Sequence, residues 1–424
     1  MLWLVRAPIW LDGGIPALVA GLACLVSLLV TSLAVAEHAN GGLDGADAHL
    51  KRAFEAIQQG RIGAALEQID RLIAVHPNFR LAHLVRGDLL QARTQPLKTF
   101  GGSGHNPRER VEEMRAEALA RVRNYRDRPR ADHYPRYLIE LDRAQRHIIV
   151  VDSNRSRVFL YENTGGAPHL IADYYTSIGK HGIEKRKEGD QKTPIGVYYV
   201  ISSIPGSKLP DLYGWGAFPI SYPNAWDRIQ GRTGFGIWLH GVPADTYARA
   251  PQASDGCVAL ANPDIEALGK SVQVGVTPVI IADEIEWAGA DELAAERDAF
   301  RRQLDAWRRD WESRDPERYL AHYSPRFHSD KMDLAAWGAH KRRVAAGKNW
   351  IKVGMSNLSI LRSPGKQSLM VLTFNQDYRS SNLSQWTRKR QYWLHEAGGW
   401  RIVYEGAIQS APVALPESFP RKRQ

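Results

Sequence analysis

The sequence predicts a multidomain protein with a helical N-terminal unit, a mainly-β middle domain and an α+β C-terminal domain. Three observations carry this. At 424 residues the chain exceeds what one ordinary core organises. Its apolar period changes from helical spacing to alternation after Pro129 and Pro135. After Trp287 a long amphipathic helix opens a second mixed region. With 44% hydrophobic and 24% charged residues, the composition is that of a globular protein and excludes a disordered chain. The formal charge of +10 suits an anionic surface without choosing one. No nucleic-acid motif accompanies it and the basic residues are scattered, so nucleic acid is not the expected partner.

From Ile15 to Ala36 the chain is uncharged and strongly apolar, ends in Ala34-Val35-Ala36 and is followed by Glu37. Small residues at Ala-x-Ala are what a signal peptidase pocket accepts. The run is also long enough to span a bilayer uncleaved, so residues 1–36 read as a signal peptide or a membrane anchor. The apolar run continues well beyond Cys24, which argues against lipidation there.

Residues 44–126 read as helices. Ala53-Phe54-Glu55-Ala56-Ile57 precedes a turn at Gly60, and Ala64-Ala65-Leu66-Glu67-Gln68-Ile69 continues into Leu72-Ile73. His76-Pro77-Asn78 ends the second helix, a third begins near Leu81, and a charged helix follows from Val111. Small residues where helices cross resemble one tetratricopeptide-type unit; a plain helical hairpin fits equally well. Either way one unit cannot bury its own faces. It should pack on a neighbour or dock a protein partner.

From about residue 136 to 283 the pattern is strands. Tyr137-Leu138-Ile139-Glu140-Leu141 leads into His147-Ile148-Ile149-Val150-Val151, and Arg157-Val158-Phe159-Leu160-Tyr161 returns as the second arm of a hairpin. Further strands are expected at Ile171 to Ser177, Gly196 to Ile204, Gly236 to His240 and Thr277 to Ile281, with a helix from Pro263 to about Lys270. Residues 289–410 open with a helix from Asp291 to about Ser313, carrying Phe300, Leu304, Trp307 and Trp311 on one face. A short helix from Glu317 and strand blocks from Ile351, Ser368, Thr387 and Gly399 follow. This order resembles the cone-shaped nuclear transport factor 2-like fold, in which Trp337, Phe374, Tyr378 and Trp393 would build the core rather than a ligand cage.

If the apolar N-terminal run is removed, Cys257 is the only cysteine left and no intrachain disulfide is possible. A lone thiol outside the cytoplasm needs a reason to be kept, and nucleophilic chemistry is the obvious one. It stands in Ala253-Ser254-Asp255-Gly256-Cys257-Val258-Ala259-Leu260. Upstream, Ile237-Trp238-Leu239-His240-Gly241 delivers a histidine at a strand end, and Asp190-Gln191-Lys192-Thr193-Pro194-Ile195-Gly196 enters a strand from a turn. An imidazole near the thiol can take its proton, and Gly256 clears space beside the sulfur for a substrate and for oxyanion-facing amides.

The order Thr-Pro-x-Gly, His, Ser-x-Gly-Cys on a β domain behind an export signal resembles the L,D-transpeptidase catalytic domain of bacterial cell-wall enzymes. The resemblance implies that Cys257 attacks the bond between the L-centre of diaminopimelate and D-alanine in a peptidoglycan tetrapeptide. A thioester acyl-enzyme would result, passed to an amine of a second stem peptide. It makes His240 the general base and then acid, Gly256 part of the oxyanion site, and Ser254 the motif's hydroxyl. It implies no metal or organic cofactor, peptidoglycan stem peptides as partner, and a place in the periplasm or cell envelope. Two positions depart from the commoner motif: Asp255 stands for a histidine, free either to orient His240 or to face solvent, and Ala259 stands for an arginine. With the C-terminal fold, these departures resemble a divergent branch in which water can resolve the same acyl-enzyme, giving an L,D-carboxypeptidase or a hydrolase that releases a wall lipoprotein. A catalytically dead, wall-binding scaffold is the non-enzymatic alternative.

Overall fold

The computed structural model describes residues 45–96, 99–102, 107–126 and 129–408. The apolar run from Ile15 to Ala36, with Cys24, lies outside them. Among the described residues no helix is long and apolar enough to cross a membrane.

Helices α1 (Ala46–Gln58), α2 (Ile62–Val75) and α3 (Arg80–Gln91) bury a stripe each: Leu50, Ala53 and Ala56, then Leu66, Ile69 and Leu72, then Leu81, Val85 and Leu89. Helix α4 (Arg108–Arg126) closes the unit. Its apolar faces are completed by the next domain, as a unit of this size requires: Tyr247 and Ala261 share its core, with the Tyr247 ring 4.4 Å from that of Phe79. Buried charges pin the same junction. Arg121 pairs with Asp47 and, at 2.8 Å, with Glu117, and its guanidinium lies 4.1 Å from the Tyr175 ring centre. Arg157 pairs with Asp173 and, at 2.7 Å, with Asp47. Every one of these charges has a partner, the condition under which burial of ions is tolerated.

After β1 (His133–Pro135) and β2 (Leu138–Glu140), the middle domain runs β3 (His147–Asp152), β4 (Arg157–Glu162), β5 (His169–Gly179), β6 (Gly196–Tyr199), β7 (Ile204–Pro205), β8 (Gly216–Pro219), α5 (Ala225–Ile229), β9 (Trp238–His240), β10 (Gln252–Ser254), β11 (Val258–Leu260), α6 (Asn262–Gly269) and β12 (Pro278–Ala282). Its sheet has the order β6-β12-β3-β4-β5-β11-β9-β8-β7, with β10 paired to β5. Strand β13 (Trp287–Gly289) pairs with β1 and leads into α7 (Ala290–Glu312). The C-terminal domain continues with α8 (Pro316–Leu320), β14 (Tyr323–His328), α9 (Leu334–Ala346), β15 (Ile351–Arg362), β16 (Leu369–Ser380), β17 (Leu383–Glu396) and β18 (Gly399–Ala407).

The C-terminal sheet is buried on both faces, and the two-residue strand period shows it. On β16, Met370, Leu372 and Phe374 join the core under α7, whereas Leu369 and Val371 face the middle domain and pack with its Ile148, Val150 and Phe159. Trp337, Phe374, Tyr378 and Trp393 are all core residues, as expected.

Two differences from the sequence reading have a clear physical cause. Strand β2 is not part of the middle sheet; it pairs with β15 through Leu138↔Leu361 and Glu140↔Ile360, because Ile139 completes the C-terminal core while Leu138 fills the core between the domains. Helix α9 carries only Trp337 and Gly338 as buried residues, so no apolar stripe marked it.

Candidate active site

Ile237, Leu239, Val258 and Leu260 are buried in one core, and this places β9 and β11 side by side. The strands run parallel with Leu239 opposite Val258 and His240 opposite Ala259. Cys257, immediately before β11, therefore lies one position before the Leu239–Val258 pair, level with Trp238 at the start of β9, and His240 lies one position after that pair. Of the five predicted site residues, His240 ends β9, Ser254 ends β10, and Asp255, Gly256 and Cys257 form the turn from β10 into β11.

That turn is tied internally. Ser254 Oγ donates to the Cys257 carbonyl at 2.6 Å and accepts from the Gly256 N–H at 3.1 Å. Gly256 has φ +123°, and a Cβ there would meet the Lys192 carbonyl oxygen at 2.8 Å, so only glycine fits. Thr193, fully buried, locks the turn to β5: its Oγ1 accepts from the Gly179 N–H and donates to the Gly256 carbonyl, both at 2.9 Å. This gives the Thr-Pro-x-Gly segment a physical role. Thr193→Val keeps the shape and strands two buried polar groups, which costs about 1–3 kcal/mol. Urea unfolding should register that loss together with a fall in turnover; an unchanged midpoint would contradict the role.

His240 is buried, and its Nδ1–H donates to the Gly241 carbonyl at 2.6 Å, which leaves Nε2 as the basic nitrogen. Gly241 must be small because a Cβ would lie 2.2 Å from Asn262 Oδ1. That oxygen accepts from the Trp215 N–H at 2.9 Å while Asn262 Nδ2 donates to the Val242 carbonyl at 2.8 Å. Asn262 thus fixes the exit of β9; sequence reasoning missed it, although Asn-Pro at a helix start is a recognisable turn signal. The Tyr213 ring centre lies 5.1 Å from that of His240, and the same tyrosine packs beside Cys257 and Trp238.

The thiol keeps partial exposure and points at the Gly236 carbonyl, 3.3 Å away. Among the described residues no hydrogen bond joins Cys257 to His240. Burial lowers the imidazole to about 4 and raises the thiol to about 11, so both are neutral near pH 7. No standing thiolate–imidazolium pair is present; the proton must move as the electrophile arrives, with the rotation that apo sites often require.

Asp255 faces solvent and accepts from Lys180 Nζ and Gln191 Nε2, each at 2.9 Å, so it bridges neighbouring loops and does not orient His240. Gly256 was assigned to the oxyanion site, but its N–H is taken by Ser254, so it supplies space and turn geometry instead. Ala259 is buried opposite His240. Cations near the thiol come from elsewhere: Arg249, in the loop between β9 and β10, acts on both Cys257 and His240, and Lys185 acts on Cys257.

A half-buried thiol leading into one strand and a buried histidine on its neighbour, in a mainly-β domain backed by a helix-and-sheet cone, form a candidate site for cysteine chemistry. Comparison with known families agrees. Residues 146–281 match the L,D-transpeptidase catalytic domain and residues 299–406 the Cds6 C-terminal NTF2-like domain. Residues 146–281 are thus similar to an L,D-transpeptidase catalytic domain. It is 30% identical over 128 residues, 29% of its length, to YafK of Escherichia coli (strain K12), which bears the L,D-transpeptidase name provisionally; the match spans 50% of that relative. Among solved structures it resembles Bd1075 of Bdellovibrio bacteriovorus (TM-score 0.59, 28% identity, 67% of this chain and 100% of that one). It also resembles a point variant of the helical cell shape determining protein Pgp2 of Campylobacter jejuni (TM-score 0.55, 25% identity, 71% and 100%).

Proposed function

We propose that this protein is a peptidoglycan-modifying cysteine enzyme that cleaves the bond between an L-centre and D-alanine in tetrapeptide stems and passes the acyl group to an amine, an L,D-transpeptidation. The observation that supports this most is a part-exposed Cys257, in a turn held by Thr193 and Ser254, leading into the strand that pairs with the His240 strand. The Cys257 sulfur bonds to the carbonyl carbon, and its proton passes through His240 Nε2 to the departing nitrogen. D-Alanine leaves and a thioester remains. An amine of a second stem then attacks, returning the sulfur to its thiol. Water in place of the amine gives a tripeptide from the same intermediate, the L,D-carboxypeptidase outcome. The apolar segment Ile15 to Ala36 supports a place of action outside the cytoplasmic membrane. The cell-shape name of Pgp2 supports peptidoglycan as the substrate.

Product analysis after incubation with disaccharide tetrapeptide tests this reading. Transfer yields a cross-linked dimer with free D-alanine, and hydrolysis yields tripeptide with free D-alanine. Unchanged tetrapeptide would contradict the enzymatic reading and favour a wall-binding scaffold.

A further inference from the structure

We infer that Arg249 is the substrate-anchoring residue of this site, holding a carboxylate of the stem peptide beside the bond that Cys257 attacks. The inference rests on the proposed reaction and names the recognition that reaction needs. Arg249 sits in the loop between β9 and β10, the segment that connects the base to the nucleophile. Its backbone is fixed: the Tyr175 hydroxyl donates to the Arg249 carbonyl at 2.8 Å, and Tyr175 in turn lies under the Arg121 guanidinium. The loop's Tyr247 is packed among the N-terminal helices. The backbone of a loop held on both sides carries its side chain as a fitted part of the site.

The guanidinium itself is underused. Its Nη2 reaches the Leu212 carbonyl at 3.4 Å, and among the described residues no carboxylate lies within ion-pair distance of it. The fully buried arginines are matched with acids: Arg121 with Asp47 and Glu117, Arg157 with Asp47 and Asp173. Arg249 is partly buried without such a match, and its desolvation lowers its pKa. A guanidinium partly withdrawn from water and without a direct ion pair gains when an anion arrives. Its flat fork of donors suits a carboxylate in a bidentate pair. The charge that acts on it from the site is that of Asp255, beyond ion-pair distance, joined by Cys257 only when the thiol ionises.

The scissile bond of the proposed substrate is flanked by carboxylates. The leaving D-alanine carries a free one, and the D-centre of diaminopimelate carries another. Both share the chemistry Arg249 would recognise. Docking either on Arg249 places the carbonyl carbon near the sulfur and gives the guanidinium a direct ion pair.

The test measures binding, so it does not depend on turnover. Calorimetry on full-length Cys257→Ala protein compares the tetrapeptide with two analogues, one amidated at the terminal D-alanine and one at diaminopimelate. Loss of a charge-assisted pair is expected to weaken one analogue about 10- to 100-fold relative to the acid. Which analogue is weakened identifies the carboxylate. In Cys257→Ala/Arg249→Met that ratio should collapse towards one, with Arg249→Lys falling between, since it keeps the charge and loses the fork. Circular dichroism and an unchanged urea midpoint would establish that the variants fold. If Arg249→Met proves unfolded, Arg249→Lys carries the comparison alone. Acid-to-amide ratios that stay the same in the folded Arg249 variants, or equal affinity for all three peptides in the Cys257→Ala parent, would overturn the inference. Wild-type protein that releases D-alanine while these ratios are unmoved would sink the anchoring role alone. An Arg249-dependent ratio in a protein that releases no D-alanine would sink the reaction and keep the carboxylate site.

Discussion

Cys257→Ala is expected to reduce D-alanine release from disaccharide tetrapeptide by about 10⁴-fold or more, because removing a covalent nucleophile leaves only binding and polarisation to act on the bond. The fold should survive the change. The sulfur is part-exposed and its recorded bond is a weak one to the Gly236 carbonyl, whereas the turn is held by Ser254, Gly256 and Thr193, none of which involves the thiol. Loss of activity with an unchanged unfolding midpoint therefore isolates chemistry from structure. Release that persists in the variant would remove Cys257 from the mechanism.

The pH dependence is the second large effect, and its sign follows from burial. His240 is held neutral down to about 4, and Cys257 is held protonated up to about 11. Between these values the free protein carries a neutral pair, with base and proton both in place. The kcat/KM profile should be level through the neutral range and fall on the acid side as His240 takes a proton near 4. Alkylation by iodoacetamide should behave differently, since it needs thiolate without help from a bound substrate. Its rate should climb about tenfold per pH unit through neutrality towards the thiol value. His240→Gln should leave that climb intact and lower turnover by about 10²- to 10⁴-fold. An alkylation rate already at its plateau near pH 7 would show a standing thiolate and contradict the neutral pair.

The parts of the site legible in the sequence are those that require a residue type. Cys257, His240, Gly256 and the Thr193 segment were all singled out, and the structure places them on the paired strands β9 and β11 and the turn that Thr193 ties to β5. What the sequence left open is direction. Asp255 had two readings, and the fold turns its carboxylate towards Lys180 and Gln191. Asn262 and Arg249 were invisible because their importance lies in contacts made across the fold, to Trp215 and Val242 in one case and to Leu212 and Tyr175 in the other.

The same division holds for architecture. Amphipathic α7 and the long strands of the C-terminal sheet declare themselves by period. Strand β2 looked like part of the neighbouring hairpin, since alternation shows that a segment is extended and not which sheet receives it. Its destination was set by two cores competing for Leu138 and Ile139. The N-terminal helices showed their apolar stripes openly, but their seat on Tyr247 and the charge pairs of Arg121 and Arg157 depend on residues far apart in the chain.

The most direct measurement is the mass of the protein itself, quenched in acid during reaction with disaccharide tetrapeptide and mapped by peptide digestion. The account predicts an adduct equal to the substrate less D-alanine, carried by the peptide containing Cys257 and absent from the Cys257→Ala protein. D-Alanine appearing under rapid quench with no adduct on that peptide at any time would contradict it.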